Sequence, residues 1–268
     1  MTVLLSTVNP AETQQPDVTL VRGRLVRERG WLVRRLASPI IVILTLCVVL
    51  FWLSTLHLDS IEQRTLNFGY VLARIREHLG LTVVASLLVA LLAIPTGVAV
   101  SRTRSKIARG IVLGIANIGQ ATPAVGVIIL LAMVWQIGYT TALVALVVYS
   151  FLPVLRNTMT GIAQIDENVR ESARGMGMTP NQVLFRIELP LAVPVILAGF
   201  RTSLVFCVGV ATIATFINAG GLGDMIVNGL KLQRYPVLVT GAALVACVAL
   251  LIDWFAAIVE DVLRPRGI

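Results

Sequence analysis

Six apolar runs alternate with polar segments along the chain, at residues 38–56, 81–100, 110–135, 141–154, 191–217 and 237–262. A helix needs roughly 20 predominantly apolar residues to cross a hydrocarbon core of about 30 Å, and the pattern predicts membrane helices on that scale. The fold class is therefore all-α: a polytopic membrane protein with about six transmembrane helices. The third run is interrupted by Asn117, Gln120, Thr122 and Pro123. Pro123 removes the hydrogen bond to the Gly119 carbonyl, so a kink or local unwinding is expected there, with nearby polar side chains satisfying what is freed.

One long polar stretch stands inside the apolar second half, residues 161–190, and so lies outside the bilayer. Thr179 is a good N-cap, Pro180 follows at the first helical position, and Gln182 stands where a capping box needs its reciprocal acceptor. Met178 and Val183 occupy the two positions of a hydrophobic staple. Upstream, residues 166–176 read as a second short helix with Val169, Ala173 and Met176 on one face. Gly175 and Gly177 weaken that helix and permit a sharp bend. The two short helices make an elbow, a compact knob suited to a groove on another protein.

Glu171-Ser172-Ala173, then Gly177, then Ile187-Glu188-Leu189-Pro190 resembles the cytoplasmic E-A-A, G, I-x-L-P loop of ABC importer permeases, with Ser172 departing from the usual alanine. The resemblance implies a type I ABC importer permease fold in which this loop docks into a cleft of a separate ATPase subunit, which binds the ATP. It implies that Glu171, Ser172, Ala173, Gly177, Ile187, Leu189 and Pro190 form the coupling element. Glu171 and Ala173 would contact the ATPase, Gly177 would make the bend, and Ile187, Leu189 and Pro190 would join the elbow to the fifth helix. It also implies a second permease subunit, in a homo- or heterodimer, and an extracytoplasmic substrate-binding protein. Residues 149–157 and 173–180 are closest to permeases for quaternary-ammonium osmoprotectants, which implies glycine betaine, choline or carnitine as cargo. Methionine or another amino acid is the alternative within the class. Gln120-Ala121-Thr122-Pro123 is similar to a Q-T-x-P stretch of osmolyte importers, which makes Gln120, Thr122 and Pro123 translocation-path candidates. Their alternative role is to hold membrane helices together. Residues 218–224, NAGGLGD, resemble a glycine-rich G-A-G-G-L-G segment of amino-acid and osmolyte importer permeases, with Asn218 departing at the first position. This adds Asn218, Gly220, Gly221 and Asp224 as path, gate or binding-protein contacts, against the plainer reading of a helix-breaking turn.

Composition agrees with a membrane solvent. The 268 residues are 57% hydrophobic and 13% charged, with a mean hydropathy of +0.88. A net charge of +8 would point to nucleic acid in a soluble protein, but the basic residues cluster beside apolar spans and orient the chain instead. Arg22, Arg24, Arg27, Arg29, Arg34 and Arg35 precede the first span, and Arg102, Arg104, Lys106 and Arg109 follow the second. About sixteen basic residues fall on the assigned cytoplasmic side and about five on the other, so both termini are expected in the cytoplasm of a bacterium, with the chain in its plasma membrane. The organisation expected is a disordered start and basic cytoplasmic tail (1–37), a retained first transmembrane helix (38–56), an outer segment (57–80) and a permease core (81–268). Within the outer segment Phe68, Leu72, Ile75 and Leu79 share a helical face. An amphipathic surface piece and a solvated loop are both open there.

Arg201 and Asp253 are conspicuous charges inside apolar spans and would be costly facing lipid. They lie at similar depths, roughly 16 and 13 Å from the cytoplasmic ends of their helices, and are expected to pair, the alternative being that each snorkels to an interface. No catalytic set, metal-ligand spacing or disulfide framework is present: His57 and His78 read as solvated, and Cys47, Cys207 and Cys247 lie in apolar runs. No glycine is followed by lysine, so there is no P-loop, and energy has to come from a partner. Two other classes stay open: an ion-coupled secondary transporter, which needs titratable groups near the midplane, and a membrane scaffold that recruits an ATPase.

Overall fold

The computed structural model describes the backbone of residues 18–263 and side chains from residue 36 onward. The expected disordered start, the arginines at 22–35 as side chains, and Arg264 and Arg266 lie outside the described residues. Among those described, every regular element is helical: α1 Val18–Ser54, α2 Ser60–Thr65, α3 Phe68–Arg102, α4 Lys106–Ala121, α5 Ala124–Val134, α6 Tyr139–Ala163, α7 Glu167–Gly175, α8 Pro180–Val183, α9 Leu189–Ala211, α10 Gly223–Lys231 and α11 Tyr235–Leu263. A π turn, Leu184–Glu188, links α8 to α9, and a 3₁₀ turn, Ile213–Ile217, follows α9. Five stretches are long and apolar enough to cross a membrane, and a sixth is a bent pair, α4 with α5.

The third apolar run is broken more sharply than a kink: α4 and α5 meet at 99°. Pro123 has no N–H to offer Gly119, and the chain turns extended at Thr122 and Pro123. Thr122 Oγ1 donates to the Ile118 carbonyl at 2.7 Å and Asn117 Nδ2 to the Leu113 carbonyl at 2.6 Å, so side chains satisfy backbone acceptors close to the break.

Two further boundaries differ from the sequence expectation. Residues 57–80 are neither a surface-lying piece nor a solvated loop. Asp59 caps α2 through a capping box with Glu62, and Phe68 begins α3. At 35 residues α3 is about 50 Å long, so its first turns stand clear of a 30 Å hydrocarbon layer. Ile75 and Leu79 pack inward against Val208, Leu222 and Met225. His78 is fully buried, not solvated, while His57 is exposed. The fourth span runs on through Pro153 and Arg156 to Ala163, so the elbow begins after Gly161 and not at it. Arg156 lies inside α6, and its guanidinium donates to Asn117 Oδ1 of α4 at 2.6 Å.

The core sits where α3, α6 and α9 converge. Leu81, Ala85, Leu146, Cys207 and Ala211 form one buried cluster, and Val89, Ala93, Leu152 and Leu155 another. Close approach of α9 to α6 depends on Gly199. A Cβ there would lie 2.5 Å from Asn157 Cβ and 2.8 Å from the Pro153 carbonyl oxygen. The backbone carbonyl cannot rotate away, so Gly199→Ala is expected to cost about 1–3 kcal/mol by overpacking. Thermal unfolding of the purified subunit checks it, with Gly114→Ala, which meets nothing within 4 Å, as the neutral comparison. Several buried hydroxyls in this core return to backbone acceptors: Ser203 Oγ donates to the Ser150 carbonyl, Thr82 Oγ1 to the His78 carbonyl and Thr158 Oγ1 to the Val154 carbonyl, each at 2.8 Å.

Candidate functional site

The elbow is built from local chemistry. Asp166 caps α7 by accepting from the Asn168 N–H at 2.9 Å, and Glu167 in the first turn takes a hydrogen bond from Arg170 at 2.8 Å. That hydrogen bond holds the exposed Glu167 carboxyl below its usual range. At the other end Gly177 has φ +82°, and the Met178 and Gly177 N–H groups donate to the Ala173 and Arg174 carbonyls at 3.2 and 2.9 Å. This is a Schellman cap, which closes α7 and turns the chain. Thr179 then caps α8 in a full capping box with Gln182, with Pro180 at the first position. Pro190 cannot donate to the Arg186 carbonyl, and the π turn that ends at Glu188 occurs where that bond is missing.

Of the face expected on α7, only Ala173 is buried (1% exposed), while Val169 and Met176 are 41% and 71% exposed. Ala173 therefore seats α7 against the subunit. Glu171 and Ser172 face outward, as do Met176, Gly177 and Phe185. The outward surface thus carries large apolar side chains, Val169 and Met176 at α7 and Phe185 on the π turn, among charged ones. Leu189 packs with Ile162, Ala192 and Ile196, tying the elbow's exit to α6 and α9, Ile187 is half-buried, and Pro190 is exposed.

The path candidates fall in two places. Gln120, Thr122 and Pro123 sit at the 99° break, with Gln120 and Thr122 half-buried and Pro123 exposed. The glycine-rich turn lies at the opposite end of the bundle from the elbow. Asn218 is left-handed (φ 57°, ψ 36°), a conformation that glycine takes freely and asparagine tolerates best among other residues. The departure from glycine at this position is therefore conservative. Gly221 N–H donates to Glu77 Oε2 at 2.9 Å, and Asp224 accepts from Arg74 at 2.6 Å and pairs with Thr215. Burial raises the Asp224 carboxyl against the pull of Arg74. The turn is strapped to α3, so all four candidates share one rigid corner.

Arg201 and Asp253 are brought together as a bidentate pair, Nε–Oδ1 2.5 Å and Nη2–Oδ2 2.6 Å, with Glu260 Oε2 3.6 Å from Nη1. Glu260 is seven residues, two turns, after Asp253 on the same face of α11, a spacing visible in the sequence but not used. Sequence reasoning also missed Arg102, Arg170 and Glu188, which meet below the membrane core. Glu188 Oε2 accepts from Arg102 Nη2 at 2.8 Å, and Oε1 faces Arg170 Nε at 3.1 Å. The one available signal was Glu188 itself, the lone charge in Ile187-Glu188-Leu189-Pro190.

Residues 93–265 match the family described as binding-protein-dependent transport system inner membrane component. The choline transport system permease protein OpuBB of Bacillus subtilis is 42% identical over 201 residues, covering 75% of this chain and 92% of that protein. The osmoprotectant import permease protein OsmW of Salmonella typhimurium is 35% identical over 216 residues, covering 79% of this chain and 100% of that one. Among solved structures, a chain of the MetNI methionine ABC transporter in an inward-facing conformation superposes with TM-score 0.68 at 22% identity, over 78% of this chain and 100% of that chain. At that identity the likeness is one of fold.

Proposed function

Because this chain belongs to the family of binding-protein-dependent transport system inner membrane components, we propose that it carries a quaternary-ammonium osmoprotectant such as glycine betaine, choline or carnitine. It is a multi-pass inner-membrane permease subunit of an ABC importer, not itself the ATPase, and it works with an ATPase and a binding protein. The observation that carries the cargo reading is end-to-end similarity to permeases named for choline, carnitine and glycine betaine, at 35–42% identity over 92–100% of OpuBB, OpuCB and OsmW. The methionine-transporter likeness supports the shared fold and does not favour methionine as cargo.

Three finer readings complete the proposal. The elbow is the ATPase-docking element, supported by its exposed Val169, Met176 and Phe185 beside Glu171. The path forms between two permease subunits near the α4–α5 break, supported by the exposed Met133, Val134, Trp135 and Ile137 that follow it. Both termini are cytoplasmic, supported by the basic cluster Arg102, Arg104, Lys106 and Arg109 on the elbow's side. Discrimination of the cation falls to the binding protein, since an aromatic cage is the usual device and this chain is 6% aromatic.

Growth separates the cargoes. Expressed with its neighbouring ATPase and binding protein in a host lacking osmoprotectant uptake, the system restores growth at high osmolarity when glycine betaine, choline or carnitine is supplied. Rescue of a methionine-uptake mutant instead, with no osmotic protection, assigns the amino-acid cargo.

A further inference from the structure

Helix α7 is held to the rest of the subunit by little apolar packing. Ala173 is its one buried side chain, and the next chain segments, Val183 and Leu184, lie on α8 and the π turn. Beside it a cleft of about 510 Å³ opens between α3, α7 and the π turn, lined by Arg102, Arg104, Glu167, Arg170, Arg174 and Glu188. Across this largely charged cleft, with only Ile162, Pro180 and Val183 as apolar lining, ion contacts and hydrogen bonds carry much of the connection.

Those contacts converge on one carboxylate. Glu188 is 6% exposed and is the last residue before α9. One oxygen accepts from Arg102, the final residue of α3; the other faces Arg170 of α7. Arg170 also donates to the Ile162 carbonyl of α6 at 2.5 Å and to Glu167 at 2.8 Å, and Arg102 donates to the Pro180 carbonyl of α8 at 3.3 Å. The ends of α3, α6, α8 and α9 and the middle of α7 are thus joined through a single acid between two guanidinium groups. Without Glu188, four arginines line the cleft against Glu167 alone, and like charge favours its opening.

We propose that Glu188 is the positioning residue that converts displacement of α7 into concerted movement of α3 and α9, so that ATP-driven motion of the elbow reaches the transport helices. This rests on the reading of the elbow as the ATPase-docking element. Glu188 is buried between Arg102 and Arg170, and its role is to keep the two ends of the stroke in register. Coupling of this kind needs a physically linked element whose two arrangements both sites bias, and the clamp supplies the link.

The test is the complete importer in proteoliposomes, reading ATP hydrolysis and glycine betaine uptake in parallel. Glu188→Gln is expected to keep binding-protein-stimulated hydrolysis while cargo moved per ATP falls about tenfold, within the usual range of coupling between sites. Glu188→Asp is expected to restore part of the ratio. A loss of both activities in proportion, with the ATPase still co-purifying, or an unchanged ratio, overturns the proposal. Should Glu188→Gln fail to accumulate, Arg102→Gln breaks the same link from its more exposed end, and the same split decides. Wild-type importer that moves no quaternary ammonium ion refutes the cargo reading alone. The clamp is then judged by hydrogen exchange, which Glu188→Gln is expected to speed in residues 167–175 and leave unchanged in residues 139–155; equal exchange in 167–175 overturns it.

Discussion

Arg201→Gln destabilises the subunit more than Asp253→Asn does, and the double variant is more stable than Arg201→Gln alone. The guanidinium lies between two apolar helices, bidentate to Asp253 and 3.6 Å from Glu260. Removing the arginine leaves two carboxylates without their shared counter-charge in a membrane span, where a single ionised side chain costs about 2.5–3.5 kcal/mol. Removing Asp253 leaves Arg201 still facing Glu260, 3.6 Å away. The pair is about a third exposed in the isolated subunit, which places the Arg201→Gln loss near the lower end of the roughly 3–5 kcal/mol known for broken buried pairs. A double-mutant cycle in lipid nanodiscs, read by thermal unfolding, measures the interaction. Additive effects of the two substitutions mean that the ion pair contributes no coupling.

Gly177→Asp leaves the subunit folded and inserted but abolishes ATP-driven uptake. A Cβ at Gly177 meets nothing within 4 Å, so the isolated chain suffers no clash. Its cost is confined to holding φ +82° with a side chain, about 1 kcal/mol, and aspartate is among the residues that tolerate this region best. On the coupling reading, Gly177 lies beside Met176 at the tip of the docking patch, and a charged side chain there enters an apolar contact with the ATPase. Co-purification of the ATPase with the variant checks it, together with the unfolding midpoint of the subunit alone. A variant that assembles and transports normally removes Gly177 from the interface. Gly177→Ala, with a somewhat larger backbone cost but little bulk and no charge, is expected to fall between the two.

The elbow was legible because its signals are local. Thr179, Pro180 and Gln182 specify a helix start within four residues, and Gly177 specifies the turn before it. Pro123 likewise announced the break in the third span, though a missing donor says nothing about its angle, and 99° is set by how α4 and α5 pack on α6. What sequence reading misplaced depends on partners far along the chain. Arg156 looked like the end of a span, yet Asn117, 39 residues away, accepts a hydrogen bond from its guanidinium and the helix continues. His78 looked solvated among Arg74, Arg76 and Glu77, yet it turns into the bundle against Gly221, whose absent side chain makes room for it. Glu188 meets Arg102 across 86 residues, a distance over which no local pattern operates. The resemblance implied an ATPase contact for Ala173, and in the isolated subunit it is the buried side chain of α7 while Val169 and Met176 stay exposed. A short helix against a subunit buries its smallest side chain and leaves the large ones free for something else.

The most direct measurement of the central claim is uptake of radiolabelled glycine betaine into proteoliposomes holding this chain with its neighbouring permease, ATPase and binding protein, with ATP enclosed or withheld. Uptake that requires internal ATP and the binding protein, and is lost with Gly177→Asp, is the predicted result. Uptake that ignores ATP and follows an imposed ion gradient contradicts it.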